Sequence, residues 1–373
     1  MKTRVLLVAS TQLSSGGVER FLLGLTQGLK DNFEFALLSG ARQEFADQIR
    51  AQGCDVFHWD VGGLFNGRAA RALSRTIQEY QPDLIHFQDA RARLLAAASQ
   101  RRRPWRNVYT VHLPPYYYRW ARFTPLRRFL YATVERVLNT YFSDAVVYPS
   151  RRGWEEALRR RLAPDSRSVC IPNGIDLRPF EAPRQPDREA GLPIVCTVAR
   201  LSPEKNVGLL IEAADLLKKR GREFFVWIVG EGPQRDELER AARQAGLESR
   251  IKFWGRLERV EPVLFQSDIF ALTSWYEGGR AQAVMEAQAA GLPCVLSDVG
   301  DNASMLDGGR GLLFPEGDAS ACAAQLDALL QNPQMRAEMG MKARKHAVEV
   351  YNLHAMAEQY RHVYENLLAK RAK

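Results

Sequence analysis

The sequence predicts an α/β fold in which two domains each carry a parallel β-sheet covered by helices on both faces. Short apolar runs alternate with amphipathic segments along almost the whole chain, as they do in domains built from βα repeats. At 373 residues the chain is too long for one ordinary domain and suits two of about 150 to 200 residues. A segment rich in proline and charge, residues 179–193, separates the halves. We therefore predict a first domain over residues 1–180 and a second over residues 181–354.

Apolar runs mark the strands of the first domain, and a helix with one apolar face follows the first run. The inward side chains of that helix recur at spacings of three and four, namely Val18, Phe21, Leu22, Leu25 and Leu29. The predicted strands of this half are Val5–Ala9, Phe33–Leu38, Val56–His58, Leu84–Phe87, Val108–Val111 and Ala145–Tyr148.

Gly16 and Gly17 stand at the start of the first helix. Free backbone amides and the positive end of the helix dipole favour a phosphate at such a place. The alternative is a tight strand-to-helix turn with no ligand. The spacing is not Gly-x-Gly-x-x-Gly, so a dinucleotide site of the dehydrogenase kind is not supported.

His86 and His112 end two strands of the first half. Carboxyl ends of parallel strands meet at one edge of a sheet, so both side chains are expected beside the same crevice. A single histidine at a strand end is most often a hydrogen-bonded structural residue, whereas two at equivalent places favour a functional role.

The second domain contains the stretch that carries the strongest chemical pattern. Its predicted strands are Ile194–Ala199, Phe224–Val229, Ile251–Trp254, Ile269–Thr273 and Cys294–Ser297. Glu277 lies on the loop after the fourth strand, and Glu286 lies on the helix that follows. Two carboxylates there can accept hydrogen bonds from sugar or ribose hydroxyls, and Gly278 and Gly279 let backbone amides approach a charged ligand. The alternative is one turn glutamate and one surface helix glutamate.

Arg200 and Lys205 share the loop that follows the first strand of the second half. A guanidinium fork and an ammonium point charge on a loop leading into a helix suit a diphosphate. The alternative is a pair of exposed basic residues beside a proline turn. The next two strand-end loops, expected at the same crevice, carry Gly230, Glu231, Gly255 and Arg256.

The composition is that of a globular protein. Apolar residues make up 46% and charged residues 25%, and no run approaches the roughly 18 apolar residues of a membrane-spanning helix. The five cysteines are scattered and odd in number, which predicts core thiols in a reducing, cytoplasmic compartment and no metal cluster. Neither an Asp-x-Asp pair nor a His-Glu-x-x-His motif is present in the sequence.

The net charge of +9 comes largely from arginines in residues 91–161. Within them, the stretch from Tyr116 to Tyr131 interleaves aromatic rings with arginines. That pattern suits the surface of an anionic membrane, and it also suits single-stranded nucleic acid. The third alternative is a solvated helix whose aromatic side chains belong to the core.

Taken in order, these motifs resemble the retaining nucleotide-sugar glycosyltransferases of family 4, also called group 1, which have the GT-B fold. The similarity covers nearly the whole chain. The segments that carry it are Ser15–Glu19, Val111–His112, Pro172–Asp176, Arg200–Asn206, Val229–Pro233 and the pair Glu277 and Glu286.

The glutamate pair departs from the family's pattern. The family places seven residues between its two glutamates, whereas eight separate Glu277 from Glu286 here. Glu286 sits in a well-matched Met-Glu-Ala helix and keeps the implied role of binding the donor ribose. The loop Gly278-Gly279-Arg280 carries the additional residue, so the role of Glu277 is kept, shifted or partly lost, and Arg280 is expected near the phosphates or the sugar.

The resemblance implies two Rossmann-like domains whose parallel sheets face a central cleft, with a C-terminal helix at about residues 355–373 packing back on the first domain. It implies metal-independent transfer with no cofactor besides the nucleotide-sugar donor. Arg200, Lys205 and the glycine-loop amides would stabilise the leaving diphosphate. His112 would bind a hydroxyl of the transferred sugar. The implied donor side also includes Asn173, and the acceptor side includes His86, Asp89 and Tyr116.

The resulting hypothesis is a cytoplasmic, membrane-peripheral glycosyltransferase that extends a glycolipid or a surface-polysaccharide intermediate. A UDP-sugar is the favoured donor, and GDP-mannose is the alternative donor. Two rival hypotheses remain open. One is a non-catalytic GT-B-like protein that uses its basic face for nucleic acid or membrane, and the other is a GT-B epimerase or phosphorylase.

Overall fold

The computed structural model describes residues 2–10, 13, 17–60, 62, 66–99, 104–112, 124–181 and 191–370. The chain forms two compact units. The first comprises residues 1–174 together with 353–373, and the second comprises residues 175–352. Each unit carries an all-parallel sheet with helices packed on it, which confirms the predicted α/β class.

The first unit is built on a seven-stranded parallel sheet with the order β3-β2-β1-β4-β5-β6-β7. Its strands are β1 (Thr3–Ala9), β2 (Phe33–Ser39), β3 (Asp55–His58), β4 (Leu84–Phe87), β5 (Arg106–Thr110), β6 (Ala145–Tyr148) and β7 (Ser168–Cys170). The strand order reverses between β1 and β4, which pair directly. The short strand β7 was not predicted, because it is only three residues long and the turn sequence Pro172-Asn173-Gly174 follows it closely.

Seven helices of the described residues pack on this sheet. They are α1 (Gly17–Leu29), α2 (Gln43–Arg50), α3 (Gly67–Tyr80), α4 (Ala90–Ser99), α5 (Pro125–Val137), α6 (Arg151–Arg159) and α14 (Leu353–Ala369). The predicted apolar face of α1 is confirmed, since Phe21, Leu22, Leu25 and Leu29 are all buried. A polar side chain caps the first turn of α6, where Ser150 Oγ accepts from Gly153 N at 2.9 Å.

Helix α14 completes the first unit, although it comes last in the chain. It packs against α1 through two glycines. A Cβ atom at Gly24 would lie 2.4 Å from Leu353 Cδ1, and one at Gly28 would lie 2.5 Å from Ala357 Cβ. The two glycines let the helices approach closely, and Tyr360 and Tyr364 of α14 are completely buried.

The second unit is built on a six-stranded parallel sheet with the order β10-β9-β8-β11-β12-β13. Its strands are β8 (Ile194–Val198), β9 (Phe225–Val229), β10 (Ile251–Gly255), β11 (Ile269–Leu272), β12 (Cys294–Ser297) and β13 (Gly311–Phe314). Its helices are α7 (Val207–Lys219), α8 (Arg235–Gln244), α9 (Glu261–Gln266), α10 (Gln282–Ala289), α11 (Asn302–Leu306), α12 (Ala319–Gln331) and α13 (Pro333–Val350). The sequence reasoning missed β13, a short run that begins with glycine.

The boundary between the units lies after Gly174 rather than at residue 180. Ile175 N donates to Tyr351 O at 3.0 Å, and Arg344 Nη2 donates to Phe180 O at 2.8 Å. Both Ile175 and Phe180 lie in an apolar cluster of the second unit. Backbone pairing and burial therefore assign the segment after Gly174 to the second unit.

The five cysteines are unpaired thiols, and four of them are buried. In the portion that the structure describes, no helix is both long enough and apolar enough to cross a membrane.

Candidate functional site

The strand order of the second sheet reverses between β8 and β11, which are hydrogen-bonded neighbours. In open parallel sheets the loops after such a pair of strands diverge and leave room for a ligand at the carboxyl ends. Arg200 and Lys205 lie on the loop after β8, and Glu277 lies on the loop after β11. The topology therefore brings these two predicted loops together.

Lys205 and Glu277 form an ion pair where the two loops meet. Lys205 Nζ lies 2.6 Å from Glu277 Oε1, and Ser274 Oγ donates to the same oxygen at 2.6 Å. The Glu277 residue is only 7% exposed, whereas the Lys205 side chain is 25% exposed. Among the described residues, none donates to Glu277 Oε2. The protein thus holds one carboxylate oxygen of Glu277, and the other has no donor among the described residues.

Three hydrogen bonds fix the position of the loop that carries Glu277. Trp275 N donates to Glu204 O at 2.9 Å, and Thr273 Oγ1 donates to Asn206 O at 2.8 Å. From the other side, Ser297 Oγ donates to Ser274 O at 2.8 Å. The loop is therefore fastened both to the loop after β8 and to the end of β12.

Gly300 supports Glu277 from the loop after β12. Its φ is +54°, and a Cβ atom there would lie 2.6 Å from Glu277 O. Any other residue would be strained and would push against the Glu277 backbone. The glycine thus allows a third loop to approach the ion pair.

Arg200 and Arg280 supply positive charge that no carboxylate of the described residues neutralises. The Arg200 side chain is exposed and makes no hydrogen bond or ion pair within the part of the chain that the structure describes. The Arg280 guanidinium carbon lies 5.4 Å from the centre of the Tyr351 ring. Burial, followed by the charges of Arg310 and Arg280, lowers the pKa of His346. Of these causes, only the positive charges of Arg310 and Arg280 would favour an anionic ligand, because burial disfavours a charge of either sign.

The glycines of the loop after β9 have a structural reason that the sequence reasoning did not foresee. Gly230 has a φ of +138°, and a Cβ atom there would lie 1.9 Å from Ala199 O. At Gly232 the corresponding distance to Leu201 O is 2.2 Å. Leu201 N also donates to the Glu231 carbonyl at 2.9 Å. These glycines let the loops after β8 and β9 pack against each other, so their presence alone is no sign of a ligand.

The remaining predicted residues of this unit lie along the same edge of the sheet. Gly255 has a φ of +71° and accepts from Gly230 N at 2.8 Å, and Arg256 follows it as an exposed residue. Gly278 and Gly279 lie in the bend before α10. Glu286 lies on α10 and is 7% exposed.

His112 of the first unit is held by a side chain that the sequence reasoning missed, Gln88. The Gln88 amide nitrogen donates to His86 O at 3.3 Å, which turns Oε1 toward His112 Nε2 at 2.9 Å. Nε2 must therefore donate, and Nδ1 carries the lone pair. Burial lowers the pKa of His112 to about 4, so the ring is neutral at pH 7. A neutral ring with an acceptor nitrogen can bind a ligand hydroxyl.

His86 does not belong to the acceptor side, which corrects the prediction for this residue. It is 0% exposed, and its ring nitrogens lie 2.7 Å from Tyr364 Oη and 2.7 Å from Thr110 Oγ1. Burial lowers its pKa to about 3. Since both nitrogens are occupied within the core, His86 joins α14 to the sheet and is closed to a substrate.

Asp89 also has a structural role. Its carboxylate accepts from Ser10 N and Ser10 Oγ, each at 2.6 Å, and from Ala92 N at 2.8 Å. It therefore joins the end of β1 to the first turn of α4, and the geometry does not direct it toward an acceptor.

Of the other site residues predicted in the first unit, two lie within the described residues and two lie outside them. Gly17 begins α1, is exposed, and has open space where a Cβ atom would stand. The Asn173 side-chain oxygen is buried, and no described residue donates to it. Gly16 and Tyr116 lie outside the described residues.

Ser274, Gly300 and Gln88 are the contributors to these sites that the sequence reasoning did not single out. Ser274 stands three residues before Glu277, and Gln88 directly follows the strand that ends at Phe87. The sequence signal that could have revealed Ser274 and Gln88 is the presence of a polar residue at a strand end beside a predicted site. Within the described ranges, no group of three or more His, Cys, Asp or Glu side chains is arranged to hold a metal ion.

Two family models match the chain, one in each half. The model for glycosyltransferase family 4 matches residues 15–178, and the model for glycosyl transferases group 1 matches residues 180–346. Together the two matches cover most of the sequence.

The chain is also similar to curated enzymes and solved structures. It is 30% identical over 240 residues to the amylovoran biosynthesis glycosyltransferase AmsK of Erwinia amylovora, which is 61% of this chain and 58% of that protein. It is 31% identical over 178 residues to the alpha-D-kanosaminyltransferase of Streptomyces kanamyceticus, covering 47% of this chain and 46% of the relative. A third curated relative is matched over 38% of its length, so the chain spans between 38% and 58% of the length of these three relatives.

Among solved structures, Anabaena HepE in complex with UDP and glucose matches with a TM-score of 0.84 at 20% identity, covering 98% of this chain and 100% of that one. Sucrose-phosphate synthase from Thermosynechococcus elongatus matches with a TM-score of 0.83 at 20% identity, covering 99% and 100%. These likenesses establish the GT-B fold. With the two family matches, they show that the chain belongs to the group 1, or family 4, glycosyltransferases.

Proposed function

We propose that this protein transfers a sugar from a nucleoside-diphosphate sugar to a hydroxyl of a glycolipid or surface-polysaccharide intermediate. The transfer retains the anomeric configuration and requires no metal, and a UDP-sugar is the favoured donor. Support comes from AmsK, which is named for amylovoran biosynthesis, and from HepE, whose structure holds UDP and glucose.

The observation that carries the proposal is the partly buried cluster of Lys205, Ser274 and Glu277 at the point where the second sheet reverses its strand order. Stability alone does not explain a lysine paired with a buried carboxylate, because removing charges from water costs about as much as their attraction returns. Placement at the carboxyl ends of β8 and β11 supplies an explanation, since this is where an α/β sheet binds its ligand.

The chemistry needs positive charge where the diphosphate leaves. Arg200 offers a guanidinium with no partner among the described side chains, and Lys205 offers an ammonium held in place by Glu277. When the bond between the sugar C1 and the diphosphate oxygen breaks, these two cations stabilise the charge that develops on that oxygen. Holding the ammonium in advance reduces the reorganisation required at that moment.

Hydroxyl recognition falls to carboxylate and imidazole acceptor atoms. Glu277 Oε2 would accept from a hydroxyl of the donor sugar, and Glu286 would accept from the ribose. In the first unit, the unprotonated Nδ1 of His112 would accept from a hydroxyl of the transferred sugar. The acceptor oxygen forms its bond to C1 on the face that the diphosphate leaves, and its proton passes to the leaving phosphate oxygen. No protein base is required for that step.

The experiment measures release of nucleoside diphosphate from a panel of UDP-, GDP- and ADP-sugars in the presence of a chelator. Thermal unfolding with each nucleoside diphosphate identifies the base first, because a bound ligand raises the unfolding temperature. We expect one UDP-sugar to be turned over. Arg200→Ala should raise the dissociation constant for UDP about tenfold or more, as expected for loss of a charge-assisted hydrogen bond.

Arg240→Ala is the matched control, since Arg240 is an exposed arginine on α8 of the same unit. It should leave UDP binding unchanged. The proposal is rejected if no donor is turned over and Arg200→Ala binds nucleotides as Arg240→Ala does. Turnover of a donor sugar into an epimer, or turnover that needs free phosphate, would assign the protein to the rival enzyme classes.

A further inference from the structure

Helix α5 leaves a stripe of large apolar side chains in solvent. Its members are Leu126, Phe129, Leu130, Val134 and Val137, with exposed fractions between 40% and 67%. They recur at spacings of three and four, so they share one face of the helix. Two large aromatic side chains near the stripe, Tyr131 and Tyr141, are 44% and 76% exposed. A contiguous apolar face of this kind is unusual on a protein surface and marks an interaction site.

The alternative in which the aromatic side chains of this region belong to the core is wrong for the described part. Phe129 and Tyr131 lie within the stretch from Tyr116 to Tyr131 and are both exposed. Residues 116–123 of that stretch lie outside the described residues. The apolar surface instead continues beyond the stretch to Val137.

A buried ion pair fixes which face of α5 points outward. Arg93 Nη2 lies 2.6 Å from Glu135 Oε2, and the two side chains are 0% and 5% exposed. The Arg93 guanidinium also stacks on the Tyr109 ring at 3.7 Å and bonds to Asn139. Breaking such a pair by rotating α5 would leave a buried charge uncompensated. The apolar stripe is therefore held in solvent by the core beneath it.

The charges on α5 are arranged around the stripe. At 100° per residue, Arg127 and Arg136 fall at its two edges, and Glu135 falls on the opposite, buried face. Arg136 donates to the carbonyls of Arg160 and Arg161, which leaves its charge unneutralised by a carboxylate. The solvent-exposed face of α5, in its described part, thus carries an apolar stripe with cationic edges and no carboxylate.

A shallow cavity of about 640 Å³ adjoins the end of α5. Arg136 and Arg161 line it together with Thr140 and Leu158, and Asp165 is its one acidic residue. Two guanidiniums beside an apolar stripe match the chemistry of a phospholipid, whose phosphate lies beside its acyl chains.

We infer that the stripe of α5 is a docking surface for an anionic phospholipid bilayer. Apolar side chains would enter the headgroup boundary, and the edge arginines would pair with lipid phosphates while their stems lie along the apolar region. A second copy of the chain fits less well, because a symmetric contact would join two faces with cationic edges, and the described part of that face has no carboxylate to neutralise them. The inference rests on the proposed function only in giving the enzyme access to a lipid-linked acceptor.

The experiment is co-sedimentation of the full chain with vesicles of phosphatidylcholine containing phosphatidylglycerol, compared with vesicles of phosphatidylcholine alone. We expect binding to the anionic vesicles that weakens as salt rises. The double variant Phe129→Glu, Leu130→Glu should lose at least about tenfold in vesicle affinity. Arg127→Gln should lose about fivefold, as expected for one cation near an anionic surface.

The matched control is the double variant Met341→Glu, Val348→Glu on α13, since those side chains are also apolar and are 68% and 54% exposed. It should bind vesicles as the wild type does. The inference is overturned if the wild type does not sediment at low salt, or if both double variants bind equally. Light scattering that shows a dimer dissociated by Phe129→Glu, Leu130→Glu would assign the surface to self-association. UDP binding of each variant is measured separately, so failure of vesicle binding is distinguishable from failure of the proposed function.

Discussion

The ion pair between Lys205 and Glu277 should be strongly coupled in the ligand-free protein. Removing one partner leaves the other in a largely buried setting, because Glu277 is only 7% exposed. A fully buried pair broken in this way costs about 3–5 kcal/mol. Since the Lys205 side chain is 25% exposed and water reaches the ammonium, we reduce the expected cost of Lys205→Met to about 2 kcal/mol.

Glu277→Gln should cost less, about 1 kcal/mol, because the amide oxygen still accepts from Ser274 and from the ammonium. In the double variant both charges are gone, so its cost should fall short of the summed single costs by about 1–2 kcal/mol. Thermal unfolding of the second unit provides the assay. A coupling of this size corresponds to about 2–8 °C for a domain of 150 to 250 residues.

The pair Lys219 and Asp215 on α7 is the control, because its Nζ–Oδ2 distance is also 2.6 Å while the lysine side chain is 69% exposed. An exposed pair of this kind on a helix should show a coupling of about 0.3–0.5 kcal/mol. If the Lys205–Glu277 coupling is no larger than that of the control pair, burial does not govern this ion pair and the reasoning fails.

Two further outcomes test the fold around the sites. Gly230→Ala should destabilise the second unit by about 3 kcal/mol or more, because the new methyl group would meet Ala199 O at 1.9 Å at a φ of +138°. Gly208→Ala on α7 should be neutral or stabilising, since the nearest neighbour of its new methyl group would lie at 3.8 Å. If chemical denaturation shows the same loss of unfolding free energy for both variants, the predicted clash at Gly230 is contradicted. Burial lowers the pKa of His86 to about 3 in the folded protein, whereas the ordinary pKa of a histidine is 6.5, so the unfolded chain binds the extra proton as the pH falls below 6.5. The free energy of unfolding should therefore fall on acidification, by about 2 kcal/mol between pH 6.5 and pH 5 on account of His86. The unfolding free energy of His86→Phe should depend less steeply on pH than that of the wild type. An unchanged dependence would show that another group titrates.

Much of the fold could be read from local pattern, because buried parallel strands are short apolar runs that adjacent helices separate. Strand β6 at Ala145–Tyr148 and strand β12 at Cys294–Ser297 were predicted to the residue. Strand β7 was missed since it is only three residues long and a turn sequence follows it closely. The unit boundary was placed late because no local signal shows that Phe180 packs among residues far along the chain.

The same distinction, between local sequence pattern and contacts of distant residues, applies to the candidate sites. Spacing and residue type were enough to single out Lys205 and Glu277, which the structure joins at 2.6 Å. They were not enough for His86, since a strand-end histidine has the same local sequence whether its nitrogens face solvent or a distant tyrosine. Tyr364 lies 278 positions along the chain from His86, so only the folded structure reveals that contact.

Helix α14 also determines when each unit can finish folding during synthesis. The second unit, residues 175–352, is continuous in the chain and leaves the ribosome before residues 353–369 do. Until α14 arrives, His86 lacks its tyrosine partner, and the face of α1 that carries Gly24 and Gly28 has nothing to pack against. The unit that is started first is therefore completed last, and a nascent chain carries an open apolar surface that chaperones can bind for most of its synthesis.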